Sequence, residues 1–226
     1  MKRLLVIEAH SDDSAIGAYG YIRKLVDRGY EAHFIVVAMS DLNMNHCGFV
    51  SAAQRRAEYL DYVSRVGGTV VEAFEPFDAE SRLDTVPKSR IVAALEKAVY
   101  AVQPNVLICQ APSFHHDHAI VYEATIAALR PTVRFHPDEV LLMENPTYVH
   151  SLGPATDFRP TTYCRLSSAD MDAKIDCFMS CFPSQVRGRE NCLSPEGIRA
   201  WASYRAMECY APPYAEAFMT YLRRVQ

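Results

Sequence analysis

The chain has 226 residues and a mass of 25.4 kDa, with 23 Lys and Arg against 27 Asp and Glu and a formal net charge of −4. Half of the residues are apolar and 22% are charged, which excludes a disordered chain. The mildly negative charge argues against nucleic-acid binding through a broad basic surface. No apolar run approaches the ~18 residues of a membrane span, and Glu8 interrupts the first short run, so we expect neither a membrane association nor a signal peptide.

Cysteine usage indicates a reducing compartment. The seven cysteines are odd in number, scattered and without a CxxC pair, so we expect free thiols and a cytoplasmic protein. Cys177 and Cys181 lie four residues apart, on one face of a predicted helix, which is not the spacing of a zinc ribbon.

Apolar runs of strand length alternate with helical patterns over most of the chain. Five runs are predicted strands: Arg3–Ala9, Ala32–Met39, Val70–Phe74, Val106–Gln110 and Val140–Met143. Four segments between them are predicted helices: Ile16–Gly29, Ala52–Val66, Ser89–Val102 and Ala119–Leu129. This alternation implies right-handed crossovers, and hence an α/β fold with a mostly parallel, Rossmann-like sheet and helices on both faces.

The remaining segments are less regular. Asp41–Ser51 and Ser184–Gly197 are predicted loops, Thr161–Leu166 a strand and Ala169–Cys181 a helix. Two short helices, separated by Pro212 and Pro213, are predicted near the end of the sequence. Because neither a linker nor a repeat interrupts the pattern, residues 1–226 are predicted to form a single domain.

Ionisable side chains directly follow two of the predicted strands. The first strand is followed by His10, Asp12 and Asp13, and the fourth by His115, Asp117 and His118. In an open parallel sheet, ligands bind beyond the carboxyl ends of the strands, and in the usual doubly wound order these two strands are neighbours. The sequence therefore predicts a metal site at this edge of the sheet.

The spacing of these residues suggests how a metal would be held. His10 and Asp13 lie three residues apart at a strand-to-helix turn, and His118 could supply a third ligand from the other loop. Two imidazoles and one carboxylate leave a position on zinc open for water or substrate, as a catalytic site requires. Asp12 would then lie beside the metal, where it could take a proton from water. The same ligands also accept other divalent ions such as Fe²⁺.

Other interpretations of the same residues remain open. Asp12, Asp13 and Ser14 are all good helix N-caps, so a structural protein with capping carboxylates and no metal would show the same residues. Gly17 and Gly20 follow the first strand, but the GxGxxG motif of dinucleotide binding is absent.

The sequence resembles a known family along nearly its whole length. The segment Ala9–Gly17, AHSDDSAIG, is similar to the AHPDDE signature of the PIG-L/LmbE-like zinc-dependent N-deacetylases, and His115–His118 is similar to that family's HxDH motif. Further landmarks match in order: Arg55 and Glu58 resemble its RxxE helix, and Lys174, Ser184–Gln185 and Ala215–Phe218 its later K, SQ and AEAF positions.

The resemblance implies a Rossmann-like sheet and hydrolysis of an acetamido group, usually on an amino sugar. It implies zinc held by His10, Asp13 and His118. Asp12 matches the family's general base, His115 the histidine that stabilises the oxyanion, Arg55 the arginine that contacts substrate hydroxyls, and Asp117 an acidic residue that orients a metal-bound histidine. If His115 acts as a cation, nearby carboxylates should raise its pKa. Family members are often trimers or hexamers, so the resemblance also implies a homo-oligomer.

Two departures from the signature bear on the chemistry. Ser11 replaces the proline, and Ser14 replaces the glutamate, which removes a carboxylate expected near the metal. Hydrolysis of a different amide, such as an acyl group on a natural product or a nucleoside, therefore stays open, as does a catalytically inactive binding protein.

Overall fold

The computed structural model describes residues 1–148 and 158–225. The strands are β1 (Lys2–Glu8), β2 (Tyr30–Val36), β3 (Leu42–Met44), β4 (Gly48–Val50), β5 (Gly68–Val70), β6 (Val106–Gln110), β7 (Glu139–Met143), β8 (Thr162–Leu166) and β9 (Tyr214–Arg223). The helices are α1 (Asp13–Gly17), α2 (Tyr19–Asp27), α3 (Ala52–Val66), α4 (Lys88–Val102), α5 (His116–Ala128), α6 (Ser168–Cys181) and α7 (Pro195–Glu208), with a 3₁₀ turn at Leu83–Thr85.

Seven strands form one mixed sheet in the order β5-β2-β1-β6-β7-β9-β8. The first five in that order pair in parallel, whereas β9 is antiparallel to both of its neighbours. The chain leaves β1 toward β2 on one side and returns to β6 on the other, so the strand order reverses between β1 and β6. The predicted α/β class with a mostly parallel, Rossmann-like sheet is confirmed, and this reversal is where such sheets bind ligands.

Both faces of the sheet are covered by helices, as predicted. In β1, Leu4 and Val6 pack into the core under α2, α3 and α6, while Leu5 and Ile7 pack into the core under α4 and α5. All four side chains are fully buried. Burial on both faces explains why β1 reads as a continuous apolar run instead of an alternating one.

The single helix predicted over Ile16–Gly29 is two helices, because the chain breaks at Ala18, whose φ is −145°. Gly17 lies against the backbone that directly follows β7, where a Cβ would come within 2.4 Å of the carbonyl oxygen of Glu144. The carboxylate of Glu216 then accepts the N–H groups of Gly20 and Tyr21, both at 2.8 Å, and thereby caps the start of α2. Tertiary contacts have overridden the helical pattern at this point.

Two predictions in the middle of the chain also need correction. The predicted strand Val70–Phe74 lies earlier and is shorter, since β5 ends at Val70. The predicted loop Asp41–Ser51 contains the antiparallel hairpin β3–β4, which turns near Gly48 with a φ of +82°. This hairpin lies beside the carboxyl edge of the sheet and forms part of the pocket described below.

Of the two short helices predicted on either side of Pro212 and Pro213, the one before the prolines is present as α7, whereas the one after them is wrong. α7 is one helix that begins at Pro195, inside the predicted loop Ser184–Gly197, and the segment after Pro213 is the strand β9. The residues of β9 favour a helix locally, but pairing with β7 and β8 and burial of Ala215–Phe218 decide the outcome. The single domain remains a prediction.

All seven cysteines are free thiols, as expected. Among residues 1–148 and 158–225, no helix has the length and apolar character that would let it cross a bilayer.

Candidate metal-dependent active site

The turn after β1 presents the first group of predicted site residues. The carboxylate of Asp13 accepts the backbone N–H of His10 at 2.8 Å, which closes the turn that leads into α1. Behind this turn, the buried carboxylate of Glu8 accepts the N–H of Ser14 at 2.8 Å and the hydroxyl of Tyr59 at 2.9 Å. Ser14 itself faces away from the pocket, with its Oγ 3.0 Å from the hydroxyl of Tyr62.

The three predicted metal ligands converge although they come from two separate loops. His118 Nε2 lies 3.2 Å from His10 Nδ1 and 3.4 Å from Asp13 Oδ1, and His10 Nδ1 lies 3.7 Å from Asp13 Oδ2. Bonds of about 2.0–2.2 Å in a tetrahedral site place neighbouring ligand atoms about 3.3–3.6 Å apart. The separations therefore fit a divalent metal held by His10, Asp13 and His118.

Hydrogen bonds on the far sides of the rings support this fit. His10 Nε2 donates to Asp117 Oδ2 at 3.0 Å, which leaves Nδ1 with its lone pair facing Asp13 and His118. His118 Nδ1 lies 2.8 Å from Ser113 Oγ, which fixes that ring as well. Sequence reasoning placed Asp117 beside His118, but its carboxylate orients the other histidine.

Asp13 is held by residues that sequence reasoning missed. Gln110, at the end of β6, donates to Asp13 Oδ2, and Asn145, just after β7, donates to Oδ1 at 2.8 Å. Gln110 is a buried polar residue at the end of an apolar strand. The rule that binding residues lie at the carboxyl ends of parallel strands, which identified His10, could also have identified Gln110. Both amides fix the direction of the carboxylate, which is buried to 2% exposure.

The charges of these groups depend on one another. Burial would lower the pKa of His10, but its bond to Asp117 and the charge of Asp13 outweigh burial and raise that pKa to about 9. Burial would raise the pKa of Asp13, but the imidazoles of His118 and His10 hold it below its usual range. The site therefore attracts a positive charge, which can be a proton or a metal ion.

Asp12 differs from its neighbour. It precedes α1, yet its carboxylate caps no backbone N–H and bonds to no other described residue. Burial, together with the negative charge of Asp13, raises the pKa of Asp12 above its ordinary value. A carboxylate that is unbonded and has a raised pKa has the properties of a general base.

His115 lies next to the three ligands but departs from one expectation. Burial and the neighbouring rings of His10 and His118 lower the pKa of His115 to about 4, whereas nearby carboxylates were expected to raise it. Its Nδ1 accepts the N–H of Asp117 at 3.3 Å, so the neutral ring carries its proton on Nε2. His115 is thus a neutral hydrogen-bond donor. Its ring nitrogens also lie close enough to those of His10 and His118 to form a three-histidine metal group.

Arg55 comes from α3 and is buried to 1% exposure, far more than a simple substrate contact requires. Its guanidinium forms an ion pair with the equally buried Glu80, and its Nη2 lies 3.4 Å from Ser11 Oγ. Its Nε has no hydrogen-bond partner among the described residues. Sequence reasoning missed Glu80, which lies on an irregular segment after β5.

One pocket of about 240 Å³ contains this chemistry. Its lining includes His10, Asp12, Asp13, Arg55, Glu80, His115, Asn145, Tyr148 and Arg187. Tyr148 packs edge-on against the rings of His115 and His118, with centroids 5.1 and 5.3 Å away. Two larger grooves, of about 510 and 610 Å³, contain none of the predicted site residues, so the smaller pocket is the candidate active site.

The family model "PIG-L: GlcNAc-PI de-N-acetylase" matches residues 5–129, which include every predicted metal-site residue. The chain belongs to the PIG-L family. No sequence of a curated protein is significantly similar to it.

Several solved structures share the fold of this chain. The chain is similar to the 4-carboxy-2-hydroxymuconate hydratase GalB of Pseudomonas putida KT2440, with a TM-score of 0.76, 21% identity and coverage of 100% of this chain and 98% of that one. It is similar to the N,N'-diacetylchitobiose deacetylase of Pyrococcus horikoshii, with a TM-score of 0.74, 20% identity and coverage of 97% and 83%. It is also similar to the zinc-inhibited form of a teicoplanin deacetylase, with a TM-score of 0.71, 14% identity and coverage of 97% of each chain.

The later PIG-L landmarks of the sequence pair with one another in space. Glu58 accepts a hydrogen bond from Ser184 Oγ at 2.8 Å, so the RxxE helix contacts the SQ segment. Lys174 forms a buried ion pair with Glu216 at 2.8 Å, which joins the K and AEAF positions. The first of these contacts joins α3 to the segment that carries Gln185, and both line the pocket.

Proposed function

We propose that this protein is a metal-dependent hydrolase that removes an N-acetyl group from an amino-sugar-type small molecule, giving acetate and a free amine. The observation that carries the proposal is the convergence of His10, Asp13 and His118 beside the unbonded carboxylate of Asp12, within one pocket. Membership of the PIG-L family supports the reaction type. Zinc is the metal we propose, with Fe²⁺ as the alternative, because two imidazoles and a carboxylate suit both ions.

A divalent cation held by His10, Asp13 and His118 would supply Lewis acidity, which would polarise the amide carbonyl and make water more acidic. Asp12 takes the proton of the attacking water, because its raised pKa keeps it basic enough near neutral pH. His115 donates from Nε2 to the oxygen that becomes negative, which it can do as a neutral ring. Asp12, now protonated, then gives its proton to the departing amine.

The remaining residues position these groups. Asp117 and Ser113 orient the two imidazoles, while Gln110 and Asn145 orient Asp13. Arg55 lines the pocket and would contact substrate hydroxyls from its ion pair with Glu80. Ser14 supports the turn from behind. From the resemblance and the composition we also propose a cytoplasmic homo-oligomer, trimeric or hexameric, that acts without nucleic acid.

The direct test is acetate release by protein reconstituted with Zn²⁺ or Fe²⁺, across acetylated amino sugars and nucleosides. Asp12→Asn should bind metal normally and lose about 10²–10⁴-fold in turnover, because the base is absent. Asp13→Asn should lose metal and turnover together. Normal turnover of Asp12→Asn with bound metal would contradict the assignment of the base, and a panel without any acetate release would contradict deacetylation.

A second candidate function is the addition of water to a conjugated, unsaturated carboxylic acid. Two observations favour it: one structural neighbour is a hydratase of a carboxylated muconate, and the pocket contains Arg187, which has no acidic partner among the described residues. The same base and cation would activate water in both reactions. Loss of the ultraviolet absorbance of unsaturated dicarboxylates, without acetate release from any amide, would favour hydration.

A further inference from the structure

Arg187 lines the pocket, and part of its guanidinium has no hydrogen-bond partner among the described residues. It lies on the segment between α6 and α7, half-buried, and lines the same pocket as Asp12 and His115. Its Nη1 donates to the carbonyl oxygens of Gln185 at 2.6 Å and Ser184 at 3.3 Å. Its Nε and Nη2 donate to no residue of ranges 1–148 and 158–225, and no carboxylate in those ranges forms an ion pair with it. Two parallel N–H groups therefore stay available for a ligand.

The wall that carries Arg187 is tied to the β3–β4 hairpin across the pocket. His46 Nε2 lies 2.7 Å from the carbonyl oxygen of Ser184 and 2.5 Å from Arg187 Nη1, and Cys47 Sγ lies 3.5 Å from the same oxygen. Gln185 Nε2 lies 3.7 Å from Met44 Sδ. Because the hairpin and the backbone carbonyls hold this segment, the guanidinium is placed before any ligand arrives, which lowers the entropic cost of binding.

The other charges in the pocket balance one another. Arg55 is paired with Glu80, and a divalent cation would balance the carboxylates of Asp12 and Asp13. His115 is neutral. Among the described residues of the pocket, Arg187 is then the only charge without a counterpart, so the pocket has a net attraction for an anion.

Neighbouring arginines do not share these properties. Arg189, two residues further on, forms an ion pair with Glu196 at 3.1 Å, and its side chain is 85% exposed. Arg56, beside Arg55 on α3, is paired with Glu75 and exposed. Surface pairs of this kind are common and carry no implication for binding.

We propose that Arg187 binds an anionic oxygen group of the substrate, a carboxylate or a phosphate, through its Nε and Nη2. Both groups match the planar fork of a guanidinium, which forms charge-assisted hydrogen bonds to them. The preferred substrate of the proposed deacetylase is then an N-acetylated molecule with an acidic substituent, and a neutral N-acetyl sugar is a poor substrate. This inference rests on the proposed function for its catalytic part, but the binding it describes can be measured separately.

The test compares matched ligands in the metal-loaded Asp12→Asn protein, which should bind them without consuming them. Calorimetry would compare N-acetylglucosamine with its 6-phosphate and with N-acetylmuramic acid, whose lactyl group carries a carboxylate. We expect at least one anionic ligand to bind about tenfold or more tightly than the neutral sugar. The anionic ligand whose affinity exceeds that of the neutral sugar by the larger factor shows whether Arg187 prefers a carboxylate or a phosphate.

Arginine variants then decide whether Arg187 causes the preference. Adding Arg187→Gln should remove most of the preference for anions while the neutral sugar binds as before, and Arg187→Lys should restore part of it. Arg189→Gln is the matched control from the same segment and should keep the full preference. A preference unchanged by Arg187→Gln would place the anion on the metal and overturn the inference, as would equal weakening of neutral and anionic ligands. If no amide is hydrolysed, the proposed function fails, yet these affinities still decide the role of Arg187.

Discussion

Asp117 and His10 are 107 positions apart in the chain, yet Asp117 Oδ2 lies 3.0 Å from His10 Nε2. The same carboxylate accepts the backbone N–H groups of Ser81 at 2.7 Å and Leu83 at 3.1 Å. The loops that follow β1, β5 and β6 therefore meet at one buried side chain. This carboxylate sets the direction of the His10 lone pair and joins the metal site to the wall that contains Glu80.

Asp117→Asn should weaken metal affinity by about 10–100-fold, because an amide supports the imidazole less well than a carboxylate does. Chelator competition with Zn²⁺ would measure the change. Asp84→Asn is a suitable control, since Asp84 lies near His116 on the same side of the site but is 67% exposed. Its effect on affinity should stay within about twofold. Wild-type affinity in Asp117→Asn would contradict the assignment.

Arg55→Ala should destabilise the protein and not only weaken substrate binding. Removing the guanidinium leaves the charge of Glu80 buried without a partner, a change that costs about 3–5 kcal/mol. Urea unfolding would measure the loss, and adding Glu80→Gln should recover part of it. Arg56→Ala, at the neighbouring exposed position, should cost less than about 1 kcal/mol. Equal stability of the two single variants would refute the buried pair.

His115→Ala should lower kcat by about 10²–10³-fold, because a donor to the developing oxyanion is lost. His115→Gln keeps a donor group and should retain part of the rate. Since His115 is a neutral donor, the ratio of wild-type to His115→Gln rates should stay constant between about pH 6 and 9. A ratio that falls steeply as pH rises would show that a cationic His115 is required.

The metal-free protein should lose stability in mildly alkaline solution. The pKa of His10 is raised from 6.5 to about 9, so its bond to Asp117 contributes fully below pH 6.5 and is lost as pH rises toward 9. The pKa of Asp117 is lowered, so its contribution is lost only in acid. Urea unfolding in the presence of a chelator should show a decrease of up to about 3 kcal/mol. Asp117→Asn should reduce this decrease, and bound metal should abolish it by replacing the proton. A flat profile of the metal-free protein would contradict the raised pKa.

The ends of the predicted strands made the convergence of His10 and His118 predictable from the sequence. Val106–Gln110 was predicted with its observed bounds, and the neighbouring positions of β1 and β6 brought His10 and His118 together as expected. These predictions worked because apolar strand patterns and the carboxyl-edge rule depend on local sequence and on general topology.

The partners of the ligands were not predictable in the same way. Whether Asp117 supports His10 or His118 depends on side-chain directions within about an ångström, which spacing does not determine. Glu80 and Arg187 lie on irregular segments, where no periodicity marks them. The strand β9 was missed for a different reason: its local preference is helical, and only its partners in the sheet make it extended.

The place of β9 in the sheet has a consequence for protein synthesis. β9 lies between β7 and β8, although the ribosome makes it after both of them, and its Glu216 caps the much earlier helix α2. Until residues 214–223 leave the exit tunnel, β7 and β8 each present an open edge that can associate with other nascent chains. Messages truncated before codon 214 should therefore yield aggregated product, and the folding yield should depend on chaperones that shield those edges during translation.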